Sequence, residues 1–252
     1  MNIAVITGAS SGFGKEFALE IDKNRPEIEE IWLLARRKER LEEVAKELKK
    51  PTKILSLDIT DPKSLKEYTQ TLESVNGNVS LLVNNAGFGK LARFDEISPE
   101  DNSAMVRLNC EALTYMTAIT LPFMKMGGEI INTCSIASFA PNTRMAVYSS
   151  TKAFVLSLSK ALRVELKPLK INVLATCPGP MDTEFLSIAG IETGTSRTFD
   201  TLPRVNAKIM AKKSLLASKK RKGVYTNRLF YKFYYVLAKV LPHSLVMKMC
   251  GT

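Results

Sequence analysis

Apolar residues in this chain come in short runs separated by stretches of helical period. Residues 2–7, 29–34, 53–57, 79–83, 128–132 and 170–175 are each too short for a helix and mostly apolar without strict alternation. Such runs predict six strands buried on both faces. Between them lie helical patterns at 15–21, 39–50, from Asp61-Pro62, from Ser98-Pro99-Glu100 toward Phe123, at 147–166 and at 203–218. Asp61-Pro62 and Ser98-Pro99 carry the N-cap residue followed by proline that starts a helix. Strands alternating with helices predict an α/β chain: one doubly wound parallel sheet with helices on both faces. A last short strand is expected at 223–226. The irregular stretch at about 185–202 follows the sixth strand and is expected to be a mobile lid. Residues 1–228 then form one domain, and 229–252 an amphipathic C-terminal extension.

The first strand runs into Thr7-Gly8-Ala9-Ser10-Ser11-Gly12-Phe13-Gly14 and then a helix. Strand, glycine loop and helix N-terminus suit a dinucleotide pyrophosphate, as in the Rossmann arrangement. The spacing is G-x-x-x-G-x-G, and an ordinary turn is the competing reading. The second strand ends at Arg36-Arg37, with no acid in place. Arginine there suits the 2′-phosphate of NADP, whereas an acid would suit NAD. The alternative, strongest for Arg37, is that these cations merely open a solvated helix. Asp58, followed by Ile59, stands where an adenine amino group would donate, or is only a turn residue. After the fourth strand come Asn84-Asn85-Ala86-Gly87, small or amide residues that let a cofactor pass close, with Asn84 expected to tie strands together.

Ser135 stands at the end of the fifth strand, where open α/β sheets place their sites. Tyr148 and Lys152 are four apart and share a helix face. A fixed ammonium beside a phenol favours the phenolate and moves its proton affinity toward the working range. Asn109 interrupts a helix in which asparagine is unfavourable, which suggests a hydrogen bond that perturbs the helix and holds a water. Pro178, Gly179 and Thr183 follow the sixth strand.

Composition narrows the function. The four cysteines form no C-x-x-C pair and His243 is the only histidine, so no metal site is expected, and a reducing cytoplasm is. The N-terminus enters a strand directly, with no secretory signal pattern. The net charge of +11 arises in the tail: positions 201–252 hold twelve Lys and Arg and no acid. No nucleic-acid motif accompanies these cations, so no nucleic-acid partner is expected. In 229–241, aromatic and aliphatic residues alternate with Lys232 and Lys239 on one helical face. A spanning helix needs about 20 apolar residues. This stretch instead completes the pocket or a subunit interface, or lies on a membrane with its lysines reaching the headgroups. Peripheral association at the inner membrane face is expected.

Together, TGASSGFG at 7–14, LDIT at 57–60, NNAG at 84–87, Asn109, Ser135, YSSTK at 148–152 and PGPMDT at 178–183 resemble the short-chain dehydrogenase/reductase family over roughly residues 2–185. Beyond that, the tail bears a weak resemblance to bacterial broad-specificity reductases. The resemblance implies an NADP(H)-dependent oxidoreductase interconverting a small-molecule carbonyl and an alcohol. Tyr148 would be the general acid/base and Lys152 its partner and a ribose ligand. Ser135 would hold the substrate oxygen, and Asn109 a relay water. It places Gly8, Ser11, Phe13 and Gly14 along the cofactor, with Ser10 and Gly12 between them. It places Asp58 and Ile59 at the adenine, Asn85, Ala86 and Gly87 near the ribose, and Pro178, Gly179 and Thr183 at the nicotinamide. A homodimer or homotetramer through the helices of Asn109 and Tyr148 is implied too. Cys134 departs from the serine common before the catalytic one. The competing reading is a non-catalytic NADPH-binding redox sensor, which should lack part of the tetrad. A nucleotide-sugar epimerase or dehydratase would need a larger C-terminal part.

Overall fold

The computed structural model describes residues 1–75, 78–192, 194 and 196–249. Seven strands form one sheet: β1 Asn2–Thr7, β2 Glu30–Ala35, β3 Thr52–Ser56, β4 Asn78–Asn84, β5 Met124–Thr133, β6 Asn172–Thr176 and β7 Val224–Tyr225. Every pairing is parallel, in the order β3-β2-β1-β4-β5-β6-β7. This is a Rossmann-like doubly wound sheet. The order reverses between β1 and β4, and the crevice at that switch point is where such sheets bind ligands. The unbroken apolar runs have a simple cause. Ala4 and Ile6 enter one core with Phe17 and Ile21, while Ile3 and Val5 enter the other with Trp32 and Tyr68. Each strand must therefore be apolar on both sides.

The helices are α1 Gly12–Asn24, α2 Lys38–Lys46, α3 Pro62–Ser74, α4 Pro99–Val106, α5 Leu113–Thr120, α6 Ala146–Glu165, α7 Glu184–Ile188, α8 Arg197–Thr201, α9 Ala207–Lys219, α10 Leu229–Val240 and α11 His243–Met249. Asp61 caps α3 by accepting from Lys63 and Ser64, as the Asp-Pro signal predicts.

Several expected boundaries move, among them the start of the sixth strand, which begins at Asn172 rather than Lys170. The helix of 39–50 stops at Lys46, because Asp22 captures the backbone N–H groups of Lys49 and Lys50. The fifth strand starts at Met124 rather than Gly128, through a register shift opposite Val79 and Leu81. The helix of 203–218 waits until Asn206, whose side chain caps the N–H of Ile209. The single helix expected after Ser98 is α4 and α5 joined by a wide π turn, Arg107–Ala112, with Asn109 inside it. The irregular stretch of 185–202 contains α7 and α8. Thr193, Thr195 and Cys250 lie outside the described residues.

Candidate active site

The carboxyl ends of the central strands open into a cleft of about 950 Å³ lined by most of the residues singled out above. Its first wall is the turn from β1 to α1. Gly8 and Gly12 adopt φ of +66° and +52°, which side-chain-bearing residues rarely take. Gly14 is constrained by space, since a Cβ would lie 2.2 Å from the Gly8 carbonyl oxygen. Ser11 stands at the N-cap of α1 without capping it, so the first N–H groups of the helix keep their capacity for an anion. Asn85 supports the turn: its Nδ2 donates to the carbonyls of Thr7 and Gly8, each at 3.2 Å. Asn84 is the expected tie, donating to Thr117 Oγ1 and Asn132 Oδ1, both at 2.9 Å.

At the end of β2 the two arginines differ. The Arg36 side chain is 78 % exposed, with Nη1 4.0 Å from Asp58. Arg37 donates to Ser10 Oγ at 3.2 Å, Ser11 Oγ at 3.1 Å and Glu184 Oε2 at 2.7 Å. Ser11 also donates to Glu184. Hydrogen bonds from Arg37 and then Ser11 hold the Glu184 carboxyl below the usual carboxylate range. Glu184 was not singled out from sequence; the only signal was an acid in the first turn of a helix directly after Thr183. Asp58 Oδ1 accepts from the backbone and hydroxyl of Thr60, so the turn role is present alongside the cleft position.

Ser135 follows β5 and Tyr148 sits in the first turn of α6. Tyr148 and Lys152 are both buried. Lys152 Nζ lies 5.7 Å from the centroid of the Tyr148 ring and donates to the Thr133 carbonyl at 2.9 Å. The expected downward shift of the phenol is absent. Burial pushes the Tyr148 phenol well up, with a hydrogen bond to Ser135 pulling the other way. Burial also lowers Lys152. The helical spacing brings the pair together, but it says nothing about desolvation, which dominates for both groups.

Asn109 is fully engaged. Its Nδ2 donates to the Phe88 carbonyl at 2.9 Å and to Thr151 Oγ1 at 3.0 Å, and its Oδ1 accepts from the Phe88 N–H at 3.1 Å. The side chain locks the π turn to the β4 loop and α6. A Cβ on Gly87 would lie 2.8 Å from Asn109 Oδ1 and 3.4 Å from Lys152 Nζ, so Gly87 separates the two polar groups at close quarters. Thr183 lies over the glycine loop, its side chain 3.2 Å from where a Gly12 Cβ would stand. Gly179 is needed for another contact: a Cβ there would come within 2.4 Å of the Tyr231 ring.

Much of the remaining wall is apolar, with Phe88, Leu108, Met145, Phe185, Phe199 and Phe230, while Lys90, Asp101, Arg107 and Asn142 add polar positions. Phe185 and Phe199 belong to the stretch expected as a lid, and Phe230 to the tail expected at a pocket, an interface or a membrane; Phe88, Leu108 and Met145 carry no sequence signal, since a lone apolar residue reads as core. Cys134 and Cys177 are core residues, and burial pushes the Cys177 thiol well up.

The model of the short chain dehydrogenase family matches residues 2–190. An NADP-dependent 3-hydroxy acid dehydrogenase of Schizosaccharomyces pombe is 34 % identical over 188 residues, 72 % of each chain. Among solved structures, a short-chain dehydrogenase from Sphingobium yanoikuyae in complex with NADPH superposes with a TM-score of 0.79 at 29 % identity, covering 96 % of this chain and 97 % of the other. A 3-ketoacyl-(acyl-carrier-protein) reductase from Brucella melitensis complexed with NADH superposes equally well at 26 % identity, covering 90 % and 96 %.

Proposed function

The chain belongs to the short chain dehydrogenase family, and from that premise we propose that it is an NADP(H)-dependent oxidoreductase that interconverts an apolar ketone or aldehyde and its alcohol. The observation that carries this reading is the convergence of Ser135, Tyr148 and Lys152 on one cleft with much apolar lining, with Asn109 bonded behind them to Thr151 of the Tyr148 helix. The glycine turn fits a dinucleotide pyrophosphate, because Gly8 and Gly14 let it pack closely on Asn85 and Ala86 while the first N–H groups of α1 are left without a side-chain cap. Gly8 to Gly14, Asp58, Ile59, Asn85 to Gly87, Pro178, Gly179 and Thr183 would hold NADP(H), which supplies or accepts the hydride when bound. Arg36 and Arg37, with Ser10, would take the 2′-phosphate, for which Glu184 now stands on Arg37.

Tyr148 donates the proton to the oxygen of the forming alkoxide and takes it back in the reverse direction. Burial keeps the side chain in the phenol form that reduction requires. Ser135 orients that oxygen. Lys152, held by Thr133, would present a buried cation to the ribose of a bound cofactor, and it stabilises charge on Tyr148 when the proton has left. Asn109 spends its amide on Phe88 and Thr151, which leaves main-chain groups of the π turn to hold the relay water. The NADP-dependent relative favours NADP, and a cytoplasmic site and a homodimer or homotetramer through α5 and α6 complete the reading.

The test is nucleotide oxidation at 340 nm against a carbonyl panel graded in apolar size, with NADPH and NADH in parallel. Turnover that rises with apolar size and prefers NADPH supports the reading. Saturable NADPH binding without turnover of any carbonyl favours the redox-sensor alternative.

A further inference from the structure

α10 is apolar on two opposite sides. Tyr231, Tyr234, Tyr235 and Ala238 face the body of the protein. Tyr231 is fully buried and donates to the Pro203 carbonyl at 2.7 Å, and the Phe139 ring packs tilted against Tyr234 and Tyr235, with centroids at 5.7 and 4.8 Å. At 3.6 residues per turn, Leu229, Phe233, Val236 and Val240 fall roughly 180° from that face. Their exposures are 82, 65, 57 and 75 %. Lys232 and Lys239 lie together on one flank of this stripe, and Lys239 sits 4.4 Å from the Tyr235 ring. Val246 of α11 is buried against the same body, so α10 is pinned and its outer stripe stays outside.

We propose that this stripe is a docking surface for an anionic lipid bilayer, with α10 lying in the interface plane. Three observations choose this occupant. The stripe is entirely hydrocarbon, offering no polar group by which a partner protein would fix its register. From Thr201 onward the sequence carries twelve cations and no acid, so its charge complements an anionic surface. A second copy of the chain would bring two such acid-free segments together, and like charges disfavour that pairing. No helix among the described residues is long and apolar enough to cross a membrane, which leaves an interfacial position.

The cleft gives the surface a use. Phe230 and Tyr234 of α10 line the cavity, while Phe233 between them points outward. Phe230 stands about 90° around α10 from the stripe, so the rim of the cleft lies within one helix thickness, about 10 Å, of the bilayer plane. An apolar carbonyl dissolved in the lipid would reach the apolar wall without crossing bulk water.

The experiment is co-sedimentation of the full chain with phosphatidylglycerol-containing and pure phosphatidylcholine vesicles, without nucleotide or substrate. It is run beside the double variant Phe233→Glu/Val236→Glu. Both positions are more than half exposed and outside the cleft lining, so the variant should keep its melting temperature and its turnover of a water-soluble carbonyl. The expected result is binding to anionic vesicles that weakens at least tenfold in the variant and falls between about 0.05 and 0.5 M salt. Two results would overturn the proposal. One is a full chain that stays in the supernatant with anionic vesicles at low salt. The other is a dimer in solution that the double variant splits, which makes the stripe an interface between copies. Vesicle binding is read without turnover, so it stands or falls separately from the reductase reading.

Discussion

Two buried polar clusters in this protein have nearly equal burial and opposite chemistry. Arg25, just after α1, is 4 % exposed and pairs with Glu129 of β5 and with Glu27. Lys152, in the cleft, is also 4 % exposed and finds a main-chain carbonyl and the face of a ring. Burial pulls both cations toward neutrality. At Arg25 the attraction of Glu129 and Glu27 outweighs it and the net shift is upward. At Lys152 no carboxylate among the described residues opposes it and the shift is downward. A buried charge that is paired consolidates the fold; one left without a counter-ion is available to a ligand.

The comparison can be tested from its strongest side first. Tyr148→Phe removes only the proton donor next to Lys152, so kcat should fall by about 10³-fold while NADPH affinity, read by fluorescence titration, stays within about twofold. A variant retaining a large part of kcat would break the assignment. Next comes a pair of opposites. Glu129→Ala strands the Arg25 charge and should cost about 3–5 kcal/mol of stability, lowering the melting temperature by roughly 10 °C, with kcat of the folded protein unchanged. Lys152→Met removes a charge that has no counter-ion, so thermal melting should hold or rise while turnover and NADPH affinity both fall about tenfold or more. If the two variants melt alike, the contrast between the clusters is wrong.

Arg36→Ala probes an exposed site. The KM for NADPH should rise about tenfold and that for NADH should hardly change, since a charge-assisted contact to phosphate is lost. The same outcome for Arg37→Ala but not Arg36→Ala would move the phosphate to the Ser10–Arg37 side. Smallest is the pH effect. The phenol of Tyr148 is shifted up, so it remains protonated through neutrality and loses its proton only as pH rises toward that raised value. Carbonyl reduction should therefore vary by less than about threefold between roughly pH 6 and 8, and alcohol oxidation, which needs the phenolate, should climb with pH. A reduction rate that falls steeply across neutrality would place a different acid at the oxygen.

Local rules made part of the fold legible along the chain. A strand buried on both faces must be an apolar run, so six of the seven strands were legible, and β7 was marked by Gly223. The positions needing φ near +60° or no Cβ at all had to be glycine, which marked the cradle at Gly8, Gly12 and Gly14. Helical spacing put Tyr148 beside Lys152, and an asparagine inside a helix flagged the place where α4 and α5 part. Tertiary structure decided what depends on distant neighbours. Only the fold brought Glu184 onto Arg37, 147 residues away, and gathered the aromatic wall of the cleft from four separate segments. It also decided the direction in which Tyr148 shifts, because desolvation is a sum over all surrounding atoms and has no signature in spacing. The tail shows the division most sharply. Its sequence reads as apolar nearly all round, and only packing against Phe139 and Pro203 decided which half of α10 is core and which half is left outside.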